Sequence, residues 1–254
     1  MRIRIDLAYD GTDLRGWQSQ PEGGTVQDLL EHNLREVLPA PGLRLFGQGR
    51  TDAGVHALRQ VAHFDANTLI PPERLPRLLN KRLTQHGIVV LEARKVPETF
   101  HARFNASSRT YCYVLHCSEA PPPVYSLRYC YHVSHRFDAG LVREAIGGFV
   151  GRHDFAALCS SDWEGDTTVR TVMEASLVMD GPWVHLIFTA NAFLHNMARH
   201  MVGLLLEVGK GRLAPAIVRR IAESPSAVDS SARPWNLPPA RGLFLAEVNY
   251  PKRL

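Results

Sequence analysis

The chain reads as an α+β protein made of two α/β units with antiparallel sheets, one over residues 1–105 and the other over 106–254. Three observations predict this. Residues 2–95 switch between period-two and period-3.6 apolar patterns in the order β-α-β-β-α-β. The remainder repeats strands and helices in a longer, less regular series, with no sequence-level repeat between the halves. The composition is globular, 45% hydrophobic and 21% charged, and a chain of this length buries roughly 70–75% of its unfolded surface.

Arg2 to Tyr9 alternates Ile3, Ile5 and Leu7 with polar neighbours, as a half-buried strand does. A Gly-rich loop over 10–24 leads to Thr25-Val26-Gln27-Asp28, an N-cap with an acidic third residue. Val26, Leu29, Leu30, Leu34, Val37 and Leu38 then follow helical spacing. Short strands around 44–47 and 60–65 flank a loop that carries Asp52. Pro72 opens a second helix with Leu75, Leu78, Leu79 and Leu83 on one side, and Ile88 to Lys95 is a further strand. That order is the ferredoxin-like (RRM-like) arrangement. The boundary between units falls near 97–106.

In the second half, strands are expected at 109–117 and 128–134. Asp138 caps a helix that buries Leu141, Val142, Ala145, Ile146 and Phe149. Strands near 170–180 and 183–190 meet at Asp180-Gly181, a hairpin signal. Helices at 195–209 and 214–223 and a strand at 243–250 complete the series, with Pro121-Pro122-Pro123 and 224–241 as loops.

Several function classes lose their basis here. No segment approaches the ~18 apolar residues of a membrane span, and the charged, alternating N-terminus is not a signal peptide; a cytoplasmic protein is expected. The four cysteines form no C-x-x-C, and the twelve histidines form no chelating pattern, so no metal is expected. There is no P-loop, no strand–G-x-G-x-x-G–helix and no G-x-S-x-G, which leaves no nucleotide cofactor and no serine hydrolase. Net charge is only +4, but Lys+Arg total 29, of which 25 are arginine. Arginine suits bidentate phosphate contacts and base stacking, although genome base composition produces the same bias.

Chemistry concentrates in Gly47-Gln48-Gly49-Arg50-Thr51-Asp52-Ala53-Gly54-Val55-His56-Ala57. Glycines let the backbone take positive φ and approach a ligand closely, and loops between strands commonly carry reactive groups. A carboxylate there can act as a nucleophile, with Arg50 favouring its ionised form. An Asx-turn in a Gly-rich connection is the plainer alternative. Arg199 sits in a helix that is apolar almost all round, and a buried arginine needs an acid. Asp52 and Glu207 are both open as that acid. Tyr111 and Tyr113 share one strand face, where they can stack on bases or simply fill a core.

Taken in register, these segments resemble the tRNA pseudouridine synthase A (TruA) family over nearly the whole chain. The similarity runs through Tyr9-Asp10-Gly11-Thr12-Asp13, Gly16-Trp17-Gln18-Ser19-Gln20, Thr25-Val26-Gln27 and the Asp52 segment. It continues in Phe100-His101-Ala102-Arg103-Phe104, Arg109 to Tyr113, Phe193 to Arg199 and Gly242 to Leu245. The resemblance implies conversion of uridine to pseudouridine at positions 38 to 40 of the tRNA anticodon stem-loop. It further implies no cofactor, no metal, and a homodimer with RNA crossing between subunits. It places an active-site cleft between the two units. By the same resemblance Asp52 matches the catalytic aspartate, Arg50 a base-flipping arginine and Tyr111 the tyrosine that stacks on the target uracil. Arg199 matches the arginine paired with the aspartate, and Leu243 an apolar residue of the pocket. Cys112, Ala198 and His200 depart from the arginine, valine and asparagine common at those places. A non-catalytic RNA binder and a glycoside or nucleoside hydrolase are the competing classes. The first has no use for the acid loop, and the second usually needs a second carboxyl group beside Asp52.

Overall fold

In the computed structural model, which describes residues 1–38, 40, 42–160, 165–224 and 232–251, the chain is a mixed α/β protein. In chain order the elements are β1 (Arg2–Tyr9), α1 (Val26–Val37), β2 (Phe46–Gly47), β3 (His56–Asp65), α2 (Leu75–Leu83) and β4 (Ile88–Val96). There follow β5 (Ser108–Cys117), β6 (Tyr131–Val133), α3 (Ala139–Ile146), β7 (Gly151–Asp154), β8 (Val169–Asp180) and β9 (Trp183–Ala190). The last are α4 (Met197–Gly209), α5 (Ile217–Glu223) and β10 (Leu243–Asn249). They form two compact units, Met1–Ser107 with Phe244–Leu254, and Ser108–Leu243.

In the first unit the strand order is β4-β1-β3-β10, with β2 on β3. β1 runs antiparallel to both β3 and β4, and β2 antiparallel to β3. β10 joins β3 in parallel through Phe244↔His56 and Leu245↔Ala57. Thr25 caps α1 in a reciprocal capping box with Asp28, as its sequence requires. Leu30 and Leu34 of α1 and Leu75, Leu79 and Leu83 of α2 are fully buried, as are Ile3, Ile5 and Leu7 of β1. The expectation of a half-buried β1 needs correction. Its polar face is buried too, because Arg4 forms a bidentate pair with Asp6 at 2.6 and 2.8 Å and lies 4.5 Å from the Tyr250 ring. The segment after β10 thus supplies a lid that the alternation of β1 cannot reveal.

The second unit has the order β5-β9-β8-β7, with β6 added in parallel to β5. β8 and β9 pair out to Asp180↔Trp183, the hairpin expected at that turn. Asp138 caps α3 through Gly140 and Leu141, and Val142, Ala145 and Ile146 are buried. α4 is buried on nearly every side, as its all-round apolar character predicts.

Boundaries shift where local geometry intervenes. β3 starts at His56 rather than 60, and α2 is preceded by a 3-10 turn, Pro72–Arg74. β6 is shorter than 128–134 and follows a 3-10 turn at Val124–Ser126. α4 begins at Met197 because Asn196 takes φ +58, outside the helical region. β7, with no apolar alternation in Gly-Arg-His-Asp, is visible only through its pairing with β8. Of the loop expected over 224–241, residues 225–231 lie outside the described residues. No helix among the described residues is long and apolar enough to cross a membrane.

Candidate functional site

In the first unit the Asp52 loop hangs between β2 and β3. A β-turn closes it: the Val55 N–H donates to the Asp52 carbonyl at 3.1 Å, and Gly54 takes φ +78. Positive φ at the third position of such a turn favours glycine. The loop is braced from behind by residues far upstream. Trp17 N–H donates to the Thr51 carbonyl at 3.0 Å. Gly16, at φ +81, brings its backbone so close that a Cβ would sit 2.6 Å from the Thr51 oxygen. Tyr9 Oη and Thr51 Oγ1 are 2.8 Å apart. Burial pushes the Tyr9 phenol up to about 12, so it stays protonated as a structural hydroxyl. The Gly11 N–H donates to His56 Nδ1 at 3.0 Å, and the His56 ring stacks on Phe244 at 4.7 Å.

These contacts fix a loop on which Thr51 and Val55 are buried, Asp52 is half-buried and Arg50 is exposed. A carboxylate at such a place meets solvent or substrate while its backbone cannot drift. The sequence motifs gave roles to Asp52 and Arg50 but none to their supports Tyr9, Trp17 and His56, nor to Gln60, whose amide donates to Tyr9 Oη at 3.5 Å and to the Gly49 carbonyl at 3.4 Å. Gly11 and Gly16 were the available signal, since closely spaced glycines mark backbone approach.

The other expected site residues, Tyr111, Arg199 and Leu243, belong to the second unit. Tyr111 is 9% exposed and meets Phe193 edge-on at 4.8 Å. Its strand neighbour Tyr113 is not a stacking residue. Its ring is fully buried, and its hydroxyl donates to the Pro239 carbonyl at 2.7 Å. Both tyrosines are therefore buried and differ in their partners, the Phe193 ring for one and the Pro239 carbonyl for the other. Leu243 is buried at the start of β10.

Arg199 is half-buried rather than buried. Its Nε donates to the Pro238 carbonyl at 2.9 Å and its Nη1 to Asn196 Oδ1 at 2.8 Å. Asn196 also donates to Ser160 Oγ at 2.8 Å and is the only non-glycine with positive φ among the described residues. Glu207 is removed as Arg199's acid: it pairs with Lys210 at 2.6 Å and Arg212 at 3.2 Å. Those two cations and their hydrogen bonds hold the Glu207 carboxyl below its usual range despite an opposing burial effect.

Two of the three positions that depart from the family pattern, Cys112 and His200, sit in defined local contacts. Cys112 Sγ lies 3.7 Å from His185 Nδ1, and burial pushes its thiol up to about 11, which makes it no nucleophile. His200 is buried, accepts from the Trp235 indole N–H at 3.4 Å, and is pushed down to about 4 by burial and then by Arg233 and Arg199. Among the described residues no group of three or more His, Cys, Asp or Glu is arranged to hold a metal ion.

Comparison with known proteins bears on the family of the chain. A family model described as tRNA pseudouridine synthase matches residues 7–105 and 145–251. The tRNA pseudouridine synthase A of Acetivibrio thermocellus is 38% identical over 248 residues, 98% of this chain and 99% of the relative. That of Anoxybacillus flavithermus is 38% identical over 251 residues, 98% of both chains. That of Burkholderia mallei is 39% identical over 251 residues, 99% of this chain and 90% of the relative. With the match running through both the braced Asp52 loop and the Arg199 helix, the chain belongs to the tRNA pseudouridine synthase family of isomerases.

Proposed function

We propose that the chain converts uridine to pseudouridine in the anticodon stem-loop of tRNA, at positions 38 to 40, with Asp52 as its catalytic carboxylate. The observation that carries this reading is the Asp52 loop itself. One acid stands half-exposed in a turn braced by Trp17, Tyr9 and Gly16. The reaction is an isomerisation. The N1–C1′ bond breaks, the uracil turns, a C5–C1′ bond forms, and the C5 proton leaves while N1 gains one. The base must first leave its stack, at a cost of a few kcal/mol. An ionised carboxylate then attacks C1′, adds to C6, or removes a 2′ proton to form a glycal, and all three routes use the same group.

In this reading both units, each ferredoxin-like, contribute to one cleft. Arg50 helps to hold the flipped nucleotide, Tyr111 stacks on the target uracil and Leu243 gives the pocket an apolar wall. Arg199 pairs with Asp52. The supports for that pair are that Glu207 is occupied by Lys210 and Arg212, and that Asn196 and Pro238 aim the guanidinium. The enzyme acts in the cytoplasm as a homodimer, without metal or cofactor.

The test is tritium release from tRNA carrying 5-tritiated uridine, paired with filter binding. The parent protein is expected to release tritium while the RNA stays intact. Asp52→Asn keeps the shape but removes the charge and the nucleophile, so its turnover should fall to background with RNA affinity little changed. Free uracil would show a hydrolase, and binding without release a non-catalytic RNA binder. Substantial pseudouridine formation by Asp52→Asn, with deamidation excluded by mass, would displace the active site from this loop.

A further inference from the structure

An aromatic cluster in the first unit is built on β2, β3 and the 101–105 turn. Phe46 on the two-residue strand β2 pairs with His63 on β3, and their rings stack at 5.2 Å. His101 lies 4.7 Å from His63 and 6.1 Å from Phe46. Phe104 follows at 4.3 Å from His101, tilted by 34°. The Arg103 guanidinium lies 5.7 Å from the centre of the Phe104 ring. Phe104 is 74% exposed and Phe46 47% exposed.

The mounting of these rings is rigid. His63, buried, accepts the Ala102 N–H on Nδ1 at 3.2 Å, tying the 101–105 turn to the sheet. His101 Nδ1 in turn accepts from the Arg103 and Phe104 N–H groups at 3.2 and 3.4 Å. Asn105 closes the turn by donating its N–H to the His101 carbonyl at 3.0 Å and accepting the His101 N–H on Oδ1 at 2.5 Å. A single exposed Phe on a surface needs no explanation. Two exposed Phe rings bridged by a histidine, with a guanidinium over the outer one, form a continuous π surface on a fixed turn.

We propose that Phe104 and Arg103, backed by His101 and Phe46, form a stacking shelf for an unpaired base of the RNA substrate, separate from the uracil site. The chemistry of the surface selects this occupant. Its exposed groups are aromatic rings and a guanidinium, the groups on which unpaired bases stack, and not the aliphatic stripe that a docking helix would need. The chain's cationic excess, net +4 and mostly arginine, suits the accompanying phosphates. The inference rests on the proposed RNA-modifying function.

The experiment measures affinity of the full chain for an unmodified tRNA transcript, with Phe104→Ala, Phe104→Leu and Phe104→Trp. Ala and Leu are expected to weaken binding about tenfold, and Trp to preserve it, because stacking needs a π face. Circular dichroism melts confirm that each variant folds. A 4-thiouridine-substituted transcript, irradiated with the parent protein, should cross-link to the peptide holding Phe104. Equal affinity for Phe104→Leu and the parent protein, or no cross-link to that peptide, would overturn the shelf. So would a changed sedimentation coefficient with unchanged RNA affinity, which would make the patch a self-association surface. If the parent protein binds and cross-links tRNA but forms no pseudouridine, the functional reading fails and the shelf stands. If it forms pseudouridine and the Phe104 variants bind like the parent, only the shelf fails.

Discussion

Arg199 illustrates how a side chain's neighbours decide its role. Its helix is buried, yet the guanidinium reaches a half-buried place and is held there by Asn196 and the Pro238 carbonyl. Replacing it with methionine forfeits those charge-assisted hydrogen bonds, which costs roughly 1–3 kcal/mol of stability. That is less than a fully buried ion pair would cost on losing one partner. Arg199→Met is therefore expected to stay folded at room temperature and to lose most of its turnover. Differential scanning calorimetry alongside tritium release checks both halves, and normal turnover would argue that Arg199 has a purely structural role.

At the scale of elements, the loop geometry depends on backbone contacts between segments that are distant in the chain. Gly16 combines φ +81 with a Cβ position 2.6 Å from the Thr51 carbonyl oxygen. Alanine there meets both an unfavourable backbone conformation and a clash with main chain, which has no rotamer to yield. A loss of roughly 1–3 kcal/mol is expected, together with a displaced Asp52 loop. Gly16→Ala should thus lower both the melting temperature and kcat, whereas Gly23→Ala, also at positive φ but with open space around it, should lower only the former. Equal activity losses at the two positions would show that the Trp17–Thr51 brace does not hold the loop.

Among the buried histidines of the described residues, two are pushed far down by burial, one in each unit. His63 is lowered from 6.5 to about 4, first by burial and then by His101 and Arg2. His200 is lowered from 6.5 to about 4 by burial and nearby arginines. When the folded value lies below the unfolded one, the unfolded chain takes up the proton first. Stability from these groups is complete above pH 6.5 and is lost as pH falls from there through about 4. Melting temperatures measured across that window should fall, and His63→Gln should flatten the slope. A melting temperature independent of pH over the same range would contradict the burial of both rings. Binding is the other property of the whole chain. With 25 of the 29 basic residues arginine and no base-reading helix motif in the sequence, tRNA affinity should rest largely on phosphates. It should fall on the order of tenfold or more between roughly 50 and 200 mM salt. A flat log–log plot would refute that.

What the sequence determined by itself is what neighbours along the chain decide. The Thr25–Asp28 capping box, the helical spacing of Leu30 and Leu34, the Asp180-Gly181 hairpin and the Gly-bracketed Asp52 turn depend on residues a few positions apart, and they were legible. Through its motifs, so was the family. Only the tertiary structure decided which faces are covered and which partners meet. It separated Tyr113, capped by Pro239, from Tyr111, assigned Glu207 to Lys210 and Arg212, and buried the polar face of β1 under Tyr250. It also set β10, from the far end of the chain, beside β3. The Glu207 contacts are local, three and five residues along the chain, but the others share one physical reason. Periodicity records which side of an element is apolar, but strand pairing and burial depend on contacts across long stretches of chain, whose closure no local pattern encodes.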